Sequence, residues 1–180
     1  MTLIYIMKLT TFAIIPTTLM LYASAYGADS VVKSVARPAN EVLLTLDSGQ
    51  LELRPLNDGA IRVRFSDGKT AEIPSLVLQG NISAPKFTVR DDKNTVTVAT
   101  AKMQAVVDRA TGAVSFRDAA GKNFLAETPG ARLLTPSAVR GQPTFVVGQS
   151  FESPADEKLF GLGQYQDGLW DWRGLPIELR

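Results

Sequence analysis

The feature that most constrains this chain is an alternation of apolar and polar residues with period two, running from Glu41 onward. In Ile61-Arg62-Val63-Arg64-Phe65-Ser66 every odd position is apolar and every even one polar. Successive side chains of an extended strand point to opposite faces, so such a segment lays one face on a core and the other in water. The pattern recurs at Val42/Leu44/Leu46, Leu51/Leu53, Phe87/Val89, Val96/Val98, Ala105/Val107 and Val114/Phe116. Between these runs lie Asp47-Ser48-Gly49, Asn57-Asp58-Gly59, Asp67-Gly68, Asp91-Asp92-Lys93-Asn94, Thr111-Gly112 and Ala120-Gly121. Gly, Asn and Asp tolerate the positive φ of tight hairpins, so consecutive strands are expected to pair antiparallel. No window carries three turns of helical periodicity. The expected fold is all-β, an antiparallel sandwich or barrel whose core is the alternating Val, Leu, Ile and Phe. Pro129 to Pro143 ("PGARLLTPSAVRGQP") is the least patterned stretch and reads as a long loop or a sheet-to-sheet crossover.

Composition narrows the chemistry. The 180 residues include no histidine and no cysteine, and 19 Lys plus Arg face 18 Asp plus Glu. That removes the commonest general base, thiolate nucleophiles, disulfides and most structural zinc sites. Any reaction would have to use carboxylates, hydroxyls or lysine. Balanced charge and the lack of a basic run argue against nucleic acid as a partner. No cofactor or metal is implied. Asp91-Asp92-Lys93-Asn94 offers oxygen ligands but lacks the glycine and closing glutamate of a calcium loop, and reads as a polar turn. Asn81-Ile82-Ser83 matches a glycan acceptor at a level expected by chance.

The first residues differ in kind. Met1 to Ala25 has one charge, Lys8, followed by the apolar run Leu9 to Leu21 and small residues at Ala23 and Ala25. This is the pattern of a secretory signal peptide over 1–25, cleaved after Ala25 or Gly27, with Met7 as an alternative start. The run is short of the roughly 20 apolar residues that span a bilayer. Export to a periplasm or the extracellular space is expected, with no membrane span left after cleavage. The exported part, 26–180, reads as one domain.

The candidate site is "LFGLGQYQDGLWDWRG", Leu159 to Gly174. In extended chain Phe160 and Leu162 point one way, while Gly161 and Gly163 leave the other side bare for close approach of a backbone or flat ligand. Gln164, Gln166, Asp167 and Asp171 supply groups that hydrogen-bond sugar hydroxyls. Trp170 and Trp172, two apart, would share a face and could stack on a pyranose. The other reading of these indoles is core or interface, the commoner fate of tryptophan in a small β-domain. Asp167 and Asp171 could be offered as a glycosidase pair, but that chemistry needs carboxylates about 5 to 9 Å apart across a glycosidic bond. Two aspartates in one glycine-bearing loop rarely meet that demand.

The stretch "LFGLGQYQDGLWDWRGLPIEL", preceded by alternating strands and by "TGAVSFRDAAGKNFL", resembles the N-terminal domain of glycoside hydrolase family 31, the retaining α-glucosidases and α-xylosidases. That family carries a similar Phe/Tyr-Gly-Leu-Gly-Glu/Gln element after strands like Met103 to Asp118. Gln164 and "YQDG" look more like its bacterial α-xylosidase members. The resemblance implies a galactose-mutarotase-like sandwich packed on a catalytic (β/α)₈ barrel, its intramolecular partner, with a loop reaching the barrel mouth and an α-glycoside as ligand of the whole enzyme. It also implies that catalysis is absent here. The family's nucleophile sits in a W-x-D-M-x-E-type motif and its acid/base aspartate comes later; neither has a counterpart before Arg180. On this reading the chain is truncated before the barrel, with Leu175, Ile177 and Leu179 as a strand stopped in mid-pattern. The seam residues would line the substrate site or the barrel interface. A free-standing carbohydrate-binding module using Trp170, Asp171 and Trp172 is the alternative.

Overall fold

The computed structural model describes residues 30–68, 82–161 and 168–175. The signal-peptide segment 1–25 lies outside them. Among the described residues ten strands form two antiparallel sheets. The first contains β1 (Val32–Ala36), β2 (Val42–Leu46), β3 (Gly49–Asn57) and β4 (Ala60–Ser66), in the order β1-β2-β3-β4. The second contains β5 (Thr88–Asp91), β6 (Thr95–Ala99), β7 (Met103–Asp108), β8 (Val114–Asp118), β9 (Asn123–Val139) and β10 (Gln142–Phe151). Its order is β10-β9-β8-β7-β6-β5. Within each sheet a strand neighbours the next in sequence because the connections are the short turns read above.

The core follows from the alternation. Val42, Leu44, Leu46, Leu51 and Leu53 of one sheet pack on Val96, Val98, Ala105, Val107 and Val114 of the other. Registration brings like to like, with Leu44 opposite Leu51, Val42 opposite Leu53, Val98 opposite Ala105 and Val107 opposite Val114. Ile61, Val63 and Phe65 line the margin of this layer, while Arg62 and Arg64 on the other face of β4 bind the Glu52 carboxylate. Burying one such side chain contributes about 1.5 to 3 kcal/mol, so this layer outweighs the surface ion pairs.

Three ties hold the sheets in place beyond the core. Ser30 N–H and Val32 N–H donate to the carbonyls of Thr111 and Arg109, at 3.0 and 2.9 Å, joining β1 to the β7–β8 turn. Thr100 Oγ1 donates to the Asp58 carbonyl at 2.6 Å. Arg37 reaches Asp91 at 3.1 Å. The first tie requires close approach: Gly112 has φ +70°, and a Cβ there would lie 2.5 Å from the Ser30 carbonyl oxygen.

One strand lies ahead of the alternation read from Glu41 onward, and one expectation needs correction. β1 escapes the period-two reading because its register shifts between Val32 and Ser34, and a bulge reverses the parity of the alternation. The stretch Pro129 to Pro143 is not a loop or crossover. It lies within β9, the turn and β10, which pair from Gln142 opposite Val139 to Gln149 opposite Arg132. Proline normally argues against a strand because it cannot donate to the ladder. Among the described residues each outer strand has a partner on one side only, so a proline nitrogen can face the other side. The turn is Arg140-Gly141, with φ 50° and 78°, the positive values of a type I′ hairpin.

β9 changes partners along its length. Asn123 to Ala126 pairs with β8, and from Arg132 outward the strand pairs, among the described residues, with β10 alone. Between them the register slips, from Gln149 opposite Arg132 to Phe151 opposite Glu127. A buried network spans this slip. Glu127, 7% exposed, accepts the Val114 N–H at 2.7 Å, the Gln149 amide at 3.1 Å and the Arg132 guanidinium. Arg132 also donates to the Gly112 carbonyl at 2.9 Å and stacks 5.9 Å from the centre of the Phe65 ring. Burial pushes the Glu127 carboxyl above its ordinary range, opposed by Arg132 and the Val114 and Gln149 donors.

Gly112→Ala is expected to cost about 2 to 3 kcal/mol, from backbone clash added to positive φ. Gly121→Ala, where a Cβ meets nothing within 4 Å and only φ is unfavourable, should cost about 1 kcal/mol. Urea unfolding of the two variants measures the difference; equal losses would remove the close-approach argument. Arg132→Met should cost about 3 kcal/mol at neutral pH, because it strands a buried carboxylate. In that variant Glu127 loses the guanidinium that opposes the effect of burial, so its folded carboxyl is pushed further above the ordinary value of 4.5 that it keeps in the unfolded chain. The deficit should therefore shrink below that value and grow as pH rises through the folded pKa. Urea midpoints at acid and neutral pH test this, and a pH-independent deficit would contradict it.

Candidate functional site

The chain after β10 folds back on itself through one carboxylate. Asp171 Oδ1 accepts the backbone N–H groups of Leu159, at 3.2 Å, and Arg173, at 3.1 Å. Its Oδ2 accepts Lys158 Nζ at 2.8 Å. An aspartate readily makes such contacts because its short side chain reaches backbone two residues on. Around it, Trp172 N–H donates to the Leu159 carbonyl at 2.9 Å. Arg173 donates to the carbonyls of Pro154 and Ser153, at 3.1 and 3.2 Å. Lys158 and the two N–H groups hold the Asp171 carboxyl down to about 2, from an ordinary 3.8. It is ionised throughout the neutral range and has no proton to give as a general acid.

The two tryptophans part company at this turn. Trp172 is buried, 7% exposed, whereas Trp170 is 84% exposed. They form no shared platform, because the residues around Asp171 are a turn and strand parity does not apply to them. Phe160 and Leu169 are also exposed, so the seam presents apolar side chains outward, Trp170 the most exposed of the three. Gly161 has φ +83°, and a Cβ added there would meet nothing within 4 Å, so its conformation, more than any close neighbour, selects glycine. Gln164, Asp167 and Gly163 lie outside the described residues. Of the predicted site residues the structure thus assigns Trp170 to the surface, Asp171 to holding the turn and Trp172 to packing.

Elsewhere, Asp91 is paired with Arg109 and Arg37 and Asp92 with Arg90 at 2.8 Å, so that turn is neutralised by arginine. Among the described residues no three His, Cys, Asp or Glu gather as metal ligands. A cleft of about 330 Å³ opens on the outer face of the second sheet, lined by Thr95, Val106, Ser115, Arg117, Asn123 and Glu152 among others. Sequence reading missed both this cleft and the Glu127 network, since each depends on which strands pair.

A two-sheet sandwich ending in a glycine- and tryptophan-bearing turn has counterparts among known proteins. The family described as the glycosyl hydrolase 31 N-terminal galactose mutarotase-like domain matches residues 50–180. The chain belongs to that family. Among solved structures it resembles a family 31 α-xylosidase from Xanthomonas citri, with 34% identity and a TM-score of 0.63 over 83% of this chain and 16% of that one. A family 31 α-xylosidase from a soil metagenome, complexed with xylose, shares 23% identity with TM-score 0.64 over 79% of this chain and 24% of that one. The cycloalternan-forming enzyme of Listeria monocytogenes, in complex with a pentasaccharide substrate, shares 20% identity with TM-score 0.60, over 76% and 13% of the two chains. The latter two likenesses concern the fold. This family 31 domain spans between about an eighth and a quarter of the chains it matches.

Trp170 and Trp172 are the chain's two tryptophans, so its indole fluorescence reports the seam alone. Acrylamide quenching is expected to be biphasic, with Trp170 fast and Trp172 slow. Asp171→Asn should raise the slow rate toward the fast one. Because the folded carboxyl titrates below its unfolded value of 3.8, its contribution is present above that pH and lost as pH falls through about 2. Quenching that is unaffected by the substitution would show that the carboxylate does not hold the turn.

Proposed function

We propose that this chain serves as the exported, non-catalytic β-sandwich of a retaining α-glycosidase of α-xylosidase or α-glucosidase type. The observation that carries the reading is the family match over 50–180, joined to the 34% identity with an α-xylosidase of which it covers 16%. In the whole enzyme the seam from Leu159 to Leu175 packs on the catalytic barrel, and Trp170 forms part of the wall that an α-linked sugar meets. The exposed indole supports this, since an aromatic face on a turn is suited to stacking against a pyranose or closing an interface. Asp171 acts as a positioning residue, fixing the turn that presents Trp170. The chemistry itself, cleavage of the glycosidic bond by two carboxylates, belongs to the barrel. The Lys8 and Leu9–Leu21 pattern supports export.

A full-length chimaera, with this chain replacing the matched region of the Xanthomonas citri enzyme, tests the reading. The chimaera is expected to hydrolyse an aryl α-xyloside and the 180-residue chain alone is not. Trp170→Ala in the chimaera should raise KM about tenfold with kcat little changed, the signature of lost uniform binding. Hydrolysis by the isolated chain would overturn the reading. Saturable binding of xylosides by the isolated chain, read by Trp170 fluorescence, would favour the free-standing carbohydrate-binding module instead.

A further inference from the structure

Beyond the Glu127–Arg132 network, β9 and β10 leave the sandwich as a two-stranded overhang. No β9 or β10 side chain belongs to the core cluster. The registers divide the overhang into two unlike faces. Arg132 and Gln149 stand opposite each other and both reach Glu127, which identifies their face as the inner one. Two residues on, and two again, that inner face carries Leu134 opposite Val147, Pro136 opposite Phe145 and Ala138 opposite Pro143. All six are apolar. The outer face is mixed, with Leu133 opposite Gly148, Thr135 opposite Val146, Ser137 opposite Thr144 and Val139 opposite Gln142. Val147 is 72% exposed and Phe145 40%. From Leu133 to Gly148 the one charged residue is Arg140, at the turn.

A two-stranded ribbon is marginal in water, and an uncharged one with an apolar face is an aggregation site unless something covers it. Arg132, at the base of the inner face, lies over Phe65 at the margin of the core, so a layer covering that face would adjoin the core. A second copy pairing along the β10 edge would meet Pro143, which has no N–H to donate. The remaining polypeptide of a glycosidase is at hand in the matched enzymes, where this domain makes up 16%, 24% and 13% of the chain. We propose that the inner face of the overhang, Leu134 to Ala138 and Pro143 to Val147, docks an apolar surface of the glycosidase polypeptide beyond this domain and completes the sandwich there. The proposal rests on the reading of the chain as the front of a larger enzyme. It adds a second docking surface, separate in sequence from the seam at Leu159 to Leu175.

The test uses the absence of native cysteine. Val147→Cys places a thiol on the inner face and Val146→Cys one on the outer face. Both sites are exposed, so neither variant should disturb folding. Maleimide labelling of each site is followed by peptide mass spectrometry, in the 180-residue chain and in the full-length Xanthomonas citri chimaera. In the chain alone both thiols should label fast. In the chimaera Val147→Cys should label about tenfold slower or more while Val146→Cys is unchanged, as expected when one face is closed. Fast labelling of both in a chimaera that hydrolyses α-xylosides would overturn the proposal and leave the function assigned above intact. Equal slowing of both would overturn the choice of face. Protection of Val147→Cys in the chain alone, with dimers in sedimentation, would overturn the proposal in favour of a second copy as the occupant.

Discussion

A carboxylate inside a β-sandwich must find donors, and where Glu127 finds them decides how the second sheet ends. The backbone N–H of Val114, the amide of Gln149 and the guanidinium of Arg132 converge on it from the start of β8, from β10 and from the far side of the register slip in β9. Breaking a buried pair of this kind typically costs several kcal/mol, more than any surface ion pair here can return. The network therefore holds β9 at the register slip where it leaves β8 and the overhang begins. Through the Gly112 carbonyl, Arg132 also couples that slip to the turn against which β1 is tied.

From this point the molecule divides by the kind of force at work. Toward the four-stranded sheet, stability comes from alternating aliphatic side chains meeting across the two inner faces, an undirected and area-proportional effect. Toward the chain's later residues, order is held by a few directed contacts on one aspartate, and the apolar groups around it face outward. Asp171 organises the backbone and Trp172 anchors it, so Trp170 is held in the open on a braced turn. Such an arrangement suits a surface that is to be met by something else, in keeping with a domain that spans a minor part of the enzymes it resembles.

Much of the fold was legible in the residues. The pairings of β2 with β3, of β3 with β4, and of β5 through β8 follow from period-two alternation and from turn residues that tolerate positive φ. What the residues did not show has definite causes. A bulge at Val32 and Ser34 reversed the parity of β1. Three prolines masked β9 and β10, because a proline's effect on a strand depends on whether its nitrogen faces a partner. The seam was recognisable as a special stretch, but the separate fates of Trp170 and Trp172 were not, since they turn on a hydrogen bond that Asp171 accepts from a residue twelve positions earlier.

The sequence by itself determined the class of fold, the order of the hairpins, the identity of most core positions and the family, because each rests on local periodicity or a contiguous motif. Only the tertiary structure decided that Glu127 and Arg132 are buried together, that β9 changes partners at a register slip, and that one face of the outer hairpin is wholly apolar. Those facts depend on which residues stand opposite one another across strands. A shift of one residue would exchange the faces without altering the composition of any segment.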